Sequence, residues 1–148
     1  MNNTKGVFIV RFYRLSHYIY SKKHLKFILF PIRILYKILI NYIMGIEIPD
    51  SLKIGSDFSI FHGQGIVIHS DCKLGDGLIL RHNVTIGNSK RNGKCPVLGN
   101  NINIGCGAVI IGDIEIKDNV IIGANTVVNK SIPKNSVVVG NPMKILLK

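Results

Sequence analysis

Leu98 to Pro133 reads LGNNIN-IGCGAV-IIGDIE-IKDNVI-IGANTV-VNKSIP, six hexads in a row. The first position is Leu98, Ile104, Ile110, Ile116, Ile122 and Val128, aliphatic in every hexad. The fifth is Ile102, Ala108, Ile114, Val120, Thr126 and Ile132, small or apolar throughout. The same frame runs earlier through Ile48, Ile54 and Ile60, slips by two residues, and resumes at Ile68, Leu74, Leu80 and Ile86. A six-residue unit cannot bury an apolar face alone, so such units must stack into a solenoid. Each hexad supplies a short strand whose aliphatic residue points into a narrow interior. The Gly, Asn or Asp beside it turns the corner, because those residues tolerate positive φ. Three six-residue faces make a triangular coil of about 18 residues, so residues 48–139 make about five coils. A sandwich of hairpins would show apolar-polar alternation and variable turn spacing instead.

Two places break the frame. One is His62-Gly63-Gln64-Gly65, where the slip occurs; the other is Asn88 to Pro96, NSKRNGKCP, a polar and basic loop in place of a hexad. Loops held on a rigid scaffold commonly carry function.

The 148 residues divide chemically near position 45. Net charge is +11, yet residues 1–45 hold 8 of the 19 Lys/Arg and none of the 8 Asp/Glu. Fourteen of 15 glycines lie at or beyond Gly45, and all five tyrosines lie before it. Three segments follow: a basic amphipathic helical cap over 1–45, a β-helix over 46–140 and a tail over 141–148. Within the cap, residues 5–21 and 25–44 predict two helices about a basic joint at Ser21 to His24, with Pro31 kinking or restarting the second. Arg11, Arg14 and His17 fall on one polar stripe, and Lys22, Lys26, Arg33 and Lys37 on another. A helical cap covers the open solenoid end, which would otherwise expose strand edges. The wide apolar face and the basic stripes add an in-plane membrane contact through residues 5–44 as a second, compatible expectation. The longest uncharged run there, Ile38 to Ile46, is far short of the roughly 20 residues of a membrane span. No helix-turn-helix or basic-aromatic sheet pattern points to nucleic acid. Three cysteines without a CxxC pair, and no signal-peptide pattern, fit reduced thiols in a cytoplasm.

The stretch from Gly45 to Asn88, with IGCGAVIIGDIEIKDNVIIGANTVV and the ending VVVGNPMKI, resembles the serine acetyltransferase-like branch of the hexapeptide-repeat acyltransferases. The likeness covers residues 45–145. The short N-terminal part is similar to the small relatives associated with capsule and exopolysaccharide genes. The resemblance implies a left-handed parallel β-helix, a homotrimer, and acetyl-CoA lying between adjacent subunits, with no metal. Spacings of 7 and 13 between His62, His69 and His82 do not resemble those of zinc-bridged solenoid enzymes.

Acetyl transfer to a hydroxyl needs a base, donors for the developing oxyanion and a channel for pantetheine. The family's base lies in a hydrophobic-His-x-x-Gly pattern, which falls here on Phe61 to Val67 and makes His62 the general base. The family's partner carboxylate, fifteen residues upstream, falls on Glu47, an acid though not the family's Asp. His82 is expected to line the same cleft and assist, and His69 to lie on the surface. For coenzyme A the resemblance implies Gly87, Asn88, Cys106 (where the family has Ala or Ser) and Ala124 on the wall, with Lys130 and Lys144 at the phosphates. The family's loop triplet of basic residue, histidine and proline is Lys94-Cys95-Pro96 here, so Lys94 and Cys95 are the expected acceptor contacts. A thiol is a weak donor and cannot supply the charged contact a small zwitterion needs. That departure favours a glycan acceptor, an O-acetyltransferase of polysaccharide synthesis, over serine. A non-catalytic trimeric scaffold is the alternative of another class.

Overall fold

The computed structural model describes residues 3–147; the outermost ends of the expected cap (1 and 2) and tail (148) lie outside the described residues. From Gly45 onward the chain winds around three parallel sheets. The first face stacks Ser59–Ile60, Ile79–Leu80, Asn103–Ile104, Ile121–Ile122 and Ser136–Val139. The second stacks Val67–Ile68, Thr85–Gly87, Val109–Ile111 and Val127–Val128, with Glu47 bridged to Val67 beneath. The third stacks Lys73–Leu74, Val97–Leu98 and Glu115–Ile116, extended by bridges to Ile54 and Ile132.

All twelve first- and fifth-position residues quoted from Leu98 onward are buried, as are the seven of the earlier frame. Thr126, the one hydroxyl among them, is reconciled to the core by accepting the Gly140 N–H at 3.1 Å. The register explains both frame breaks. Thr85 pairs with Val67 and Val127 with Val109, a step of 18 residues. Ser59 pairs with Ile79, a step of 20 that absorbs the two-residue slip. Thr85 pairs with Val109, a step of 24, so the Asn88–Pro96 loop is added to its coil rather than substituted for a hexad. The faces keep their order across it.

The N-terminal expectation holds for the first helix and is corrected for the second. Thr4–Ser21 (α1) is one helix, with the Asn3 side chain capping it at the Gly6 N–H. The expected 25–44 helix is three pieces: Lys23–Ile28 (α2), Phe30–Tyr36 (α3) and a π-helical run, Lys37–Ile43. Pro31 sits in the first turn of α3, where its missing N–H costs nothing, so the helix restarts there.

The basic stripes are corrected too, since three of their members face inward. The first coil has no coil beneath it, which leaves carbonyls without strand partners. The cap supplies donors to them. The Tyr13 hydroxyl donates to Leu52 O (2.6 Å) and Arg14 to Ile54 O (2.6 Å) and Gly55 O. His17 Nδ1 donates to Asp50 O (2.8 Å), and the Tyr36 hydroxyl to Ile48 O (2.7 Å). Arg33 is buried in an ion pair with Asp50, Nε to Oδ2 at 2.7 Å. Burial raises the phenol of Tyr13 to about 12 and that of Tyr36 further in the same direction. At the other end, the expected tail closes the solenoid: Lys144–Leu147 turns back antiparallel to Ser136–Val139. No helix among the described residues is long and apolar enough to cross a membrane.

Candidate active site

The corners of the prism are made by residues with positive φ. Among the described residues, the non-glycine ones are Asp57, Asn83, Asn92, Asn101, Asn119, Asn125, Asn135 and His62. Seven of those eight are Asn or Asp, whose short polar side chains bond locally and relieve the left-handed conformation. His62, at φ 68°, is the exception in residue type, and it lies at the frame slip. Gly63 and Gly65 beside it also take positive φ, and a side chain on Gly63 would strike Ile9 of α1. A bulky residue kept in that conformation on an exposed corner is local strain of the kind found at functional sites.

The register places a column above it. Ile60 pairs with Leu80, Ile79 with Asn103, and Ile122 with both Ile104 and Val138. Two residues beyond each strand, His62, His82, Cys106, Ala124 and Gly140 therefore follow one another up a single edge. The rings of His62 and His82 meet edge to face with centroids 5.7 Å apart. His82 Nδ1 is buried without a hydrogen-bond partner. Above them the coils pack closely: the Asn125 N–H reaches Cys106 O at 2.8 Å, and a side chain on Gly105 would strike the backbone of Ala124. Up the edge the side chains thus pass from two imidazoles at the bottom to small residues at the top. Over the top of the second face, Val127, Asn129 and Lys130 line a cavity of about 340 Å³ with Asn141 and Met143 of the tail. Lys144 lies on the last strand, paired with Val139.

The remaining candidates occupy a different edge. His69, Gly87, Ile111 and Asn129 follow one another where the second face ends, and the loop leaves from Asn88. His82 and Gly87 are separated by a strand's width of backbone, on the order of 15 Å at ~3.3 Å per residue. Lys94 is exposed and paired with Asp113 at 3.0 Å. Cys95 does not face outward as an acceptor contact would. It is buried, with Sγ 3.2 Å from His69 Nδ1. Burial raises its thiol above the ordinary range and pushes the thiol of neighbouring Cys72 to about 12, so neither is an activated nucleophile. Glu47 also departs from expectation. Its backbone is tied to Ile66 and Ile68 on the second face, its side chain is exposed, and the structure does not bring the carboxylate into contact with His62, whose ring neighbour is His82.

His69 is placed at the surface by the sequence reading, which misses its contact with Cys95. His69 is only 40% exposed, and its Nδ1 receives both the Cys95 thiol and the Asp71 N–H, each at 3.2 Å. Two donors at Nδ1 leave the ring proton on Nε2. The signal was the pairing of a histidine at the start of one corner with a cysteine one coil later, visible only once the 24-residue step is known. Among the described residues no group of three or more His, Cys, Asp or Glu is gathered as a metal site would require.

A parallel β-helix with a strained, outward histidine at the foot of a small-residue groove is the layout of a repeat-built acyltransferase. No family model matches the chain. It is 37% identical over 138 residues to an Escherichia coli K12 protein named as the colanic acid biosynthesis acetyltransferase WcaB, covering 90% of this chain and 85% of that protein. It is 38% identical over 143 residues to the serine acetyltransferase of Staphylococcus xylosus, of which it spans 64%. Among solved structures, the serine acetyltransferase of Brucella abortus S19 in complex with coenzyme A superposes with a TM-score of 0.81 at 28% identity, over 97% of this chain and 56% of that one. The chain belongs to the hexapeptide-repeat acetyltransferases and is an acyltransferase.

Proposed function

We propose that the chain is an acetyl-CoA-dependent O-acetyltransferase acting on a sugar hydroxyl during polysaccharide synthesis. The observation that carries the reading is His62, the one corner residue held at positive φ that is neither glycine nor Asn/Asp among the described residues. In the proposed reaction the imidazole takes the acceptor's hydroxyl proton as its oxygen attacks the thioester carbonyl. The C–S bond then breaks, and the imidazolium returns the proton to the departing sulfur, leaving an acetyl ester and coenzyme A. Glu47, on the face that begins just past this corner, is the proposed carboxylate partner, its contact with His62 to be made when the site is filled. His82, directly above, is the proposed assisting group.

Acetyl-CoA is proposed to run up the edge, its pantetheine beside Cys106 and Ala124 and its phosphates toward Lys130 and Lys144. Coenzyme A in the solved relative supports this, as do the small side chains of the upper edge. Gly87, Asn88 and the Lys94-Cys95 loop stand on the other edge of the same face. A site using both edges draws on two copies, which supports a homotrimer of left-handed β-helices, each of about five coils, with the cap over 1–45, the β-helix over 46–140 and a closing tail over 141–148. The reading includes a cytoplasmic location, where acetyl-CoA is made, with the cap against the inner face of the cytoplasmic membrane.

Serine is the second reading, supported by the serine acetyltransferases above. The inward Cys95 weighs against it, because the loop then offers a small zwitterion one anchor fewer. An acceptor screen separates the two. Thiol release from acetyl-CoA should require a glycan or activated sugar, should be flat with L-serine alone, and should fall by about 10²–10⁴-fold in His62→Ala. Turnover on free serine would replace the first reading with the second. A His62→Ala variant with full activity would remove both.

A further inference from the structure

Residues 18–32 leave the β-helix and return to it at one place. On the way out, the Ser16 hydroxyl donates to Asp50 Oδ2 (2.9 Å) and His17 to the Asp50 carbonyl (2.8 Å). On the way back, Arg33 grips the same carboxylate through Nε (2.7 Å) and Nη2 (3.2 Å). Between these contacts only Ile19 is buried, and α2 buries none of its residues. The elbow so formed nonetheless exposes Phe27 (75%), Ile28 (70%) and Phe30 (53%). Around them stand Lys22, Lys23 and Lys26; the ammonium groups of Lys22 and Lys26 lie 5.9 and 4.5 Å from the ring centroids of Tyr18 and Tyr20. No acidic residue occurs before Glu47.

The geometry points to an anionic lipid surface as the partner of this elbow, with Phe27, Ile28 and Phe30 entering the bilayer and Lys22, Lys23 and Lys26 resting among its headgroups. Apolar side chains at a protruding tip, ringed by lysines and tyrosines, match the layered chemistry of a membrane interface. The contact is made by the tip. The basic stripes do not serve it, because Arg14, His17 and Arg33 are already spent on the β-helix; Tyr42 and Ile43 are exposed elsewhere in the cap, but without a cluster of lysines beside them in the sequence. A second copy of the chain is the other occupant that an apolar patch admits. Two elbows together would gather six lysines with no acid between them, whereas an anionic surface supplies the opposite charge. The single buried carboxylate at the neck holds the tip in place. This inference rests on the membrane placement of the cap in the proposed function and deepens it, naming the segment and the lipid; it does not depend on acetyl transfer.

The test is flotation of the full-length protein with phosphatidylcholine vesicles, with and without phosphatidylglycerol. Binding is expected to the anionic vesicles alone and to weaken with salt. Replacing Lys22, Lys23 and Lys26 by glutamine should lower the partition coefficient about 100-fold. Phe27→Ser with Ile28→Ser should abolish binding, and both variants should keep their Tm and their acetyl-CoA affinity, since α2 buries nothing. Wild-type protein that fails to float, floats equally on neutral vesicles, or floats unchanged in either variant would overturn the proposal. So would sedimentation showing that the Phe27/Ile28 variant falls apart into smaller species, which makes the patch a contact between copies. Failure of the wild type to bind acetyl-CoA would count instead against the functional reading and leave lipid docking standing.

Discussion

Asp50 joins the two halves of the molecule, and its removal should be felt throughout the cap. The carboxylate is 4% exposed and accepts from Ser16 at 2.9 Å and from Arg33 at 2.7 and 3.2 Å. In Asp50→Ala the Arg33 guanidinium, itself 9% exposed, keeps its place over the Tyr20 ring but loses its counter-charge. Breaking one side of a buried pair costs about 3–5 kcal/mol. At roughly 3 °C per kcal/mol for a domain of this size, Tm should fall by about 10–15 °C. The double variant Asp50→Leu with Arg33→Met should recover most of the loss, because a buried pair about balances its own desolvation. Thermal unfolding followed by circular dichroism, at one protein concentration so that assembly does not shift the midpoint, reads both values. A single variant that loses less than about 3 °C, or a double variant as unstable as the single, would refute the claim that this pair is desolvated and mutually dependent.

Two further outcomes follow from the edge and from the cap. Ala124→Phe should raise the acetyl-CoA dissociation constant at least ~10-fold in calorimetry while leaving Tm within about 2 °C, because Ala124 is exposed on the groove rather than part of the core; unchanged affinity would take the ligand off this edge. Alkali should destabilise the fold: Cys72 and Tyr13 are both raised to about 12 by burial, so the stability of their protonated forms is complete below about pH 9 and is lost as pH climbs toward 12. A Tm that stays level through pH 11.5 would contradict their burial.

The β-helix was legible because its rule is repeated. An aliphatic residue every sixth position has one place to go when three faces share a narrow core, and each such residue went there. The slip at His62–Gly65 was visible as a change of phase and became the corner on which the candidate base sits. The cap was legible only in outline. A helical stripe of Arg14, His17 and Arg33 reads as a solvated face when the pattern is taken alone. What turns these residues inward is the unpaired carbonyls of the first coil, which no local window contains. The contact between Cys95 and His69 was missed for a related reason. Their contact spans 26 positions, and it forms because the inserted loop returns to the start of the coil below. The antiparallel return of Lys144–Leu147 likewise answers an exposed last strand, a need of the assembled solenoid rather than of its final residues.

The division of the candidate residues between two edges has a consequence that mixing experiments can read. His62, His82, Cys106 and Ala124 stand on one edge of the second face, and Gly87, Asn88 and the Lys94-Cys95 loop on the other. If one site takes its imidazole from one copy and its loop from the next, a closed ring of three has three such junctions. A His62→Ala chain still carries a sound loop edge, and a chain with Lys94→Ala and Asn88→Ala still carries a sound histidine edge. Co-refolded in equal amounts, the two inactive variants should assemble at random. A junction is then competent when the histidine comes from the second variant and the loop from the first, which happens for about one junction in four. Acetyl transfer should return to about a quarter of the wild-type rate, with each variant inactive by itself. If both edges served a site within one chain, every mixed assembly would contain only damaged sites and no activity would return. That result would dissolve the inter-chain groove and, with it, the argument for a trimer.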